Sequence, residues 1–210
     1  MQTHFGGTFV QGVEYGHYPP PASLLKIMKR EWAERLVSDG HIRFGNLETY
    51  RQWENPVLGD LYEGNGQLMV DSHPQDVGSM NCVYVWCSST PLIDKAQISK
   101  LAEAEGYDCK VNVREPSKLI HRVFTAIERS GRKLHLHCDG VIYDRGASVD
   151  KAVLNSQAFH FNIFQKSPRF APDCEYRLSL TSALGAAPSE PYINFHIGSC
   201  ADIMNIEPLL

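Results

Sequence analysis

Apolar positions recur at helical spacing early in the chain and alternate with polar ones later, so the pattern changes period from about 3.6 to 2 along the sequence. FVQGVEYGHY reads as a strand, which Pro19, Pro20 and Pro21 end because proline has no N–H for a ladder. A helix is expected next: Ser23 is placed as its N-cap, Leu25, Met28, Trp32 and Leu36 share one face, and Gly40 stands at its stop. His41 to Phe44 (HIRF) follows as a short strand. CVYVWC (82–87) reads as a buried strand, and Asp94 caps a helix running through Ile98 and Leu101. A further helix is expected from about Ser117 to Ser130, with Ile120, Phe124 and Ile127 on one face and Gly131 after it. KLHLHC, GVIYD, AFHFNIFQK, EYRLSLT and PYINFHIG then read as strands between turn residues. Helices early and strands late predict an α+β domain with a twisted, mainly antiparallel sheet, helices in the N-terminal half, and a single domain over 1–210.

The segment from Gly45 to Gly78 breaks this regularity. It is polar, rich in Gly, Asp and Asn, and carries Pro56 and Pro74. Excursions of this length inside a compact domain commonly carry function.

Composition narrows the class. A chain of 210 residues with 43% apolar and 21% charged positions can bury a sizeable core, which excludes a disordered identity. No run approaches the roughly 20 apolar residues that span a bilayer. The opening MQTHFGGTFVQG lacks the layout of a signal peptide, so no membrane contact and a cytoplasmic location are expected. The six cysteines are scattered without a C-x-x-C pair, as expected of buried thiols in a reducing compartment. A net charge of −4 gives no general footprint for nucleic acid, yet leaves room for a local basic groove on the first helix from Lys26, Lys29, Arg30 and Arg35.

Candidate chemistry concentrates in two places. In CEYRLSLT, alternation sets Cys174, Tyr176, Leu178 and Leu180 on one face and Glu175, Arg177, Ser179 and Thr181 on the other. A carboxylate beside a guanidinium on a rigid strand either forms a solvent-facing ion pair or orients a ribose hydroxyl or phosphate-bearing ligand. IRFGNLETYRQWENPVLGDLYEGNG gathers Arg43, Tyr50, Arg51, Trp53, Glu54, Asp60 and Glu63, types suited to stacking on a flat heterocycle and gripping phosphate. Among the histidines, His135 and His137 share a strand face that His121, His160 and His196 can approach, but no third zinc ligand stands at a recognisable spacing. The chain has no H-E-x-x-H, Walker loop or G-x-S-x-G elbow.

The succession VEYGHY, HIRFGNLETYRQWENPVLGDLYEG, VYVWCSS and FQKSPRFAPDCEYRLSL resembles a little-characterised bacterial and phage family that closes on an E-Y-R strand. The arrangement is similar to ADP-ribosyltransferases, which implies a split sheet and NAD as substrate. It places the catalytic glutamate at Glu175 and the first-strand basic residue at His17. The middle position falls either on Tyr50, as in a His-Tyr-Glu subtype, or on Arg43 with Ser88 and Ser89, as in an Arg-Ser-Glu subtype. Tyr50 or Phe44 would then stack on nicotinamide, and Arg43, Arg51 or Arg177 would hold the pyrophosphate. The resemblance further implies a toxin or phage-defence effector acting on a protein or nucleic-acid target, with an antitoxin or other protein partner in some cases. Two other classes compete. One is a metal-dependent nuclease using Asp60, Glu63 and Glu175; the other is a non-catalytic interaction module in which Glu175 and Arg177 pair with each other.

Overall fold

The computed structural model describes residues 8–10, 12–16, 18–51, 60–70, 73–78, 83–144, 161–182 and 190–209. In chain order the strands are β1 (Thr8–Val10), β2 (Val13–Tyr15), β3 (Leu24–Met28), β4 (His41–Asn46), β5 (Asn65–Val70), β6 (His73–Gly78), β7 (Val83–Ser89), β8 (Cys109–Val113), β9 (Leu134–Gly140), β10 (Glu175–Ser182), β11 (Tyr192–His196) and β12 (Met204–Pro208). The helices are α1 (Arg30–Asp39), α2 (Leu47–Arg51), α3 (Lys95–Glu105) and α4 (Pro116–Ser130), with 3-10 turns at Phe161–Phe164 and Pro168–Asp173.

One ten-stranded sheet draws strands from both ends of the chain, in the order β1-β2-β9-β10-β7-β3-β8-β12, with β4 and β11 branching from β7. Its ladders are antiparallel apart from β2 on β9. The fold is thus α+β with a mostly antiparallel sheet. Leu119, Ile120, Val123 and Ile127 of α4 and Ala33 and Leu36 of α1 share one hydrophobic core with Tyr176, Leu178 and Leu180 of β10. A smaller cluster packs Ile98 and Ala102 of α3 on Ile27.

The sheet is forked. One edge of β7 is taken along its whole length by β10, from Val83 to Ser89. On the other edge β4 pairs only with Tyr84 and Val85, and β3 only with Ser89. Residues 86–88 therefore have no strand partner on that side among the described residues. The two prongs are consecutive in sequence, joined by α1. That helix starts where the Arg30 N–H donates to Asp108 Oδ1 at 2.7 Å. It stops at Gly40, which has φ +68°, and a Cβ there would lie 2.0 Å from the Gly198 carbonyl oxygen.

Several expectations are corrected. Helices are not confined to the N-terminal half, since α4 and both 3-10 turns lie beyond its end. Residues 25–28, expected in the first helix, form β3, because all five residues of that strand pair with β8. Lys26 consequently lies on a strand. FNIF is a 3-10 turn rather than part of a strand, and GVIYD contributes a single bridge, Ile142 to Gln165. β8 and β12 had no counterpart in the pattern reading. The excursion after Gly45 contains α2, a tight turn at 61–64 and the β5–β6 hairpin.

Candidate active site

β10 is central and buried on both faces, so its polar side must be satisfied within the protein. Glu175 and Arg177 do this for each other. Arg177 Nε donates to Glu175 Oε1 at 2.7 Å and Nη2 to Oε2 at 3.2 Å, while Nη1 donates to the Ile163 carbonyl and lies 2.6 Å from Glu63 Oε1. Lys166 Nζ completes the cluster, 3.0 Å from Glu175 Oε2 and 3.8 Å from both Glu63 and Asp173. Arg177 is 1% exposed and Glu175 7%. Of the two readings of this strand, the solvent-facing ion pair does not hold: the pair is internal.

Each member is positioned by a different segment. Glu63 sits in the turn at 61–64, where the Arg51 guanidinium donates to its carbonyl and Asn162 Nδ2 holds the Gly64 carbonyl at 2.7 Å. Lys166 follows the first 3-10 turn, its N–H bonded to the Ile142 carbonyl. Asp173 ends the second, and the Glu175 N–H donates to Tyr143 Oη at 2.7 Å.

Burial alone would raise the Glu175 carboxyl, but Arg177 and Lys166 outweigh it and hold the group well below the usual carboxylate range. Burial would likewise lower Lys166, yet Glu175, Glu63 and Asp173 hold its ammonium up. Burial raises Asp173. The Cys87 thiol on β7 is pushed up to about 12 by burial and by the negative charge of Glu175.

The fork opens a cleft beside this cluster. An inner chamber of about 140 Å³ is bordered by Glu63, Lys166, Asp173, Glu175, Arg177 and the Cys87 side of β7. An outer chamber of about 320 Å³ lies between the prongs, bordered by Arg35, Arg43, Glu105 and the rings of Trp32, Trp86 and Tyr192. Lys26, Ile27, Tyr50 and Tyr107 border both. Arg43 stacks on Tyr192 with 4.3 Å from guanidinium carbon to ring centroid, and Lys26 Nζ lies 5.7 Å from the Trp86 ring.

Of the residues singled out in the sequence, Glu175, Arg177, Ser88 and Tyr50 meet at the inner chamber and Arg43 borders the outer one. The Ser88 hydroxyl is used by the Tyr176 carbonyl at 2.9 Å. Phe44 is wholly buried and edge-on to Phe195, on the opposite face of β4 from exposed Arg43, and so belongs to the core. Arg51 braces the Glu63 turn and pairs with Glu48 rather than bordering the cleft. His17, Trp53, Glu54 and His160 lie outside the described residues. Asp60 is buried, its carboxylate accepts the Tyr62 N–H and its carbonyl accepts the Glu63 N–H at 2.8 Å, so it shapes the turn that carries Glu63. Among the described residues no group of three His, Cys, Asp or Glu is placed to hold a metal. His137 is bonded to Thr181 Oγ1 at 2.8 Å. Lys166, Tyr107 and Asp173 were missed, and Lys26, expected in a basic groove on the first helix, reaches the cleft from β3 instead. Lys166 had a signal, a lysine closing an apolar run nine residues before Glu175, but its partners are set only by the fold.

No family model, curated protein or solved structure matches this chain. No helix among the described residues is long and apolar enough to cross a membrane.

Proposed function

We propose that the chain is an ADP-ribosyltransferase of the toxin or phage-defence type, taking NAD into the forked cleft and modifying a protein or nucleic acid. The observation that carries this reading is the polarity of two adjoining chambers that share Lys26, Ile27, Tyr50 and Tyr107: a fixed carboxylate, Glu175, borders the inner one and cations interleaved with aromatic rings border the outer one. That sequence of environments suits a ligand with a reactive ribose at one end and a phosphate-bearing, ring-bearing portion at the other.

The chemistry follows from charge. When the nicotinamide–ribose bond breaks, its electron pair leaves with nicotinamide and positive charge develops on the ribose. The acceptor's lone pair then forms the new bond to the same carbon, and the acceptor loses a proton. A carboxylate that holds the ribose 2′-hydroxyl lowers this barrier, and one kept ionised by Arg177 and Lys166 needs no reorganisation during the reaction. Three N–H donors already hold Glu175: Nε and Nη2 of Arg177 and Nζ of Lys166. Glu175 borders the inner chamber, so the ribose hydroxyl reaches the carboxylate from that side.

The interaction-module reading draws support from the closed Glu175–Arg177 pair, and it predicts no uptake of NAD. The deciding experiment is incubation with NAD labelled on its adenylate half and cell lysate, with and without chelator. Wild type should transfer label in both conditions, and Glu175→Gln should lose at least about 10²-fold, the scale of removing one transition-state electrostatic contact. Because Glu175 also pairs two buried cations, Glu175→Asp is run beside it as a variant that keeps the charge. Wild-type turnover by a folded Glu175→Gln protein would reject the assignment.

A further inference from the structure

Lys26 differs from the other cations of the cleft. Arg177 and Lys166 are matched to Glu63, Glu175 and Asp173, and Arg43 to Tyr192 and Asn194. The Lys26 ammonium has no side-chain hydrogen bond and no carboxylate within 4 Å among the described residues. It lies on β3 where the prong leaves β7, borders both chambers, and sits 5.7 Å from the Trp86 ring, with Cys87 and Glu175 acting on it only at longer range. Burial disfavours its charged form, so an unmatched ammonium here costs the empty protein stability. A cation held at such a cost, between a carboxylate-lined chamber and an aromatic one, is explained by an anion that arrives with the ligand.

We infer that Lys26 is the anion anchor of the cleft, and that its ligand carries a phosphate at the junction of the two chambers with a flat ring lodged among the outer aromatics. This rests on the cleft proposed above as the NAD site and deepens it, since it moves the phosphate grip from Arg51 and Arg177 to a residue the sequence placed on a helix. Three cations border the outer chamber, Lys26, Arg35 and Arg43, against Glu105, whose carboxyl burial makes harder to ionise. The chamber therefore favours a phosphodiester or pyrophosphate attached to a base over a neutral nucleoside.

The test is calorimetric titration of wild type, Lys26→Met and Lys26→Arg with ADP-ribose, adenosine and inorganic pyrophosphate, with NAD as a fourth probe. Wild type should bind ADP-ribose, Lys26→Met should weaken it about 10- to 100-fold, as for loss of a charge-assisted hydrogen bond, and Lys26→Arg should restore most of it. Adenosine binding should be the same in all three. Lys26→Met should also melt higher than wild type when empty, which separates an anchor from a structural residue. ADP-ribose binding indifferent to Lys26→Met overturns the anchor while leaving the NAD reading intact. Loss of binding in Lys26→Arg equal to that in Lys26→Met overturns it too, pointing to chemistry of the amine itself. Lys26-dependent binding of ADP-ribose or pyrophosphate, with no binding of NAD and no label transfer, keeps the anchor and removes the transferase. Failure of every phosphate probe to bind overturns both.

Discussion

At the scale of single residues the cleft depends on what is absent at Gly45. A Cβ built there would lie 2.7 Å from Tyr50 Oη and 3.0 Å from its Cε2, so the ring of Tyr50 rests on the bare backbone of β4. Tyr50 borders both chambers, and its position sets how they communicate. Gly45→Ala displaces the far end of a side chain rather than backbone, which costs little stability but pushes the ring into the cleft. The expected outcome is a melting temperature within about 2 °C of wild type and a clear loss of affinity for whichever nucleotide the cleft takes. Gly40→Ala is the contrasting case. There the added Cβ meets the Gly198 backbone, and φ of +68° already disfavours a side chain by about 1–2 kcal/mol. Thermal melts of both variants, with ligand titration of the first, check this. If Gly45→Ala binds ligand normally, Tyr50 is not a wall of the site.

At the scale of elements, the start of α1 is fixed from a distance. Lys29, its N-cap, makes no side-chain cap, and the first N–H is taken instead by Asp108, 78 residues away in sequence. Asp108→Ala should cost about 1 kcal/mol, the usual worth of a cap, and so lower the melting temperature by roughly 2–4 °C for a chain of this size, with Asp108→Asn nearer to wild type. The same fact explains which parts of the fold were legible. Local signals were read correctly in three places: Asp94 caps α3 through the Gln97 N–H, and Gly40 and Gly131 end their helices in the left-handed conformation. On β10 the split holds for Tyr176, Leu178 and Leu180 in the main core, while Cys174, at φ 47° ahead of the strand, packs in the smaller cluster. Leu25 to Leu36 has a helical period throughout, and only the five-residue ladder with β8 turns its first part into a strand. Nothing within that window records the ladder. The site divides the same way. Glu175 and Arg177 were visible because their pairing is a matter of period two on one strand, and Glu63 stood out in the acidic loop but as a metal ligand beside Glu175, whereas it pairs with Arg177 and Lys166; Lys166 and Asp173 join from the 3-10 segments, which only the fold brings there.

At the scale of the whole molecule, the Glu63–Lys166–Asp173–Glu175–Arg177 cluster ties the 61–64 turn, both 3-10 turns and the central strand into one electrostatic unit. Its pH dependence has a definite sign. Glu175 is held below its unfolded value of about 4.3, so its stabilisation is full above that value and is lost as pH falls through it toward the folded one. Lys166 is raised, so its contribution is full below its unfolded value near 10.4 and is lost only as pH climbs through the folded one. Asp173, raised by burial, and Lys26, lowered by it, act in the opposite sense: each costs stability near neutrality, relieved on acidification for Asp173 and on alkalinisation for Lys26. Subtracting a variant isolates the Glu175 contribution from these. Glu175→Gln leaves two buried cations short of a charge, so at pH 7 it should be less stable than wild type by about 3–5 kcal/mol, the cost of breaking a buried pair. Urea melts from pH 7 down to 3 should show that difference shrinking once pH passes below about 4.5, as Glu175 of the unfolded wild type takes up a proton that the folded carboxylate does not, while Gln, a neutral stand-in for the acid, titrates in neither state. A difference that stays constant across this range would mean that Glu175 is not the charged partner of Arg177 and Lys166. The electrostatic basis of both the fold of β10 and the proposed ribose contact would then fall together.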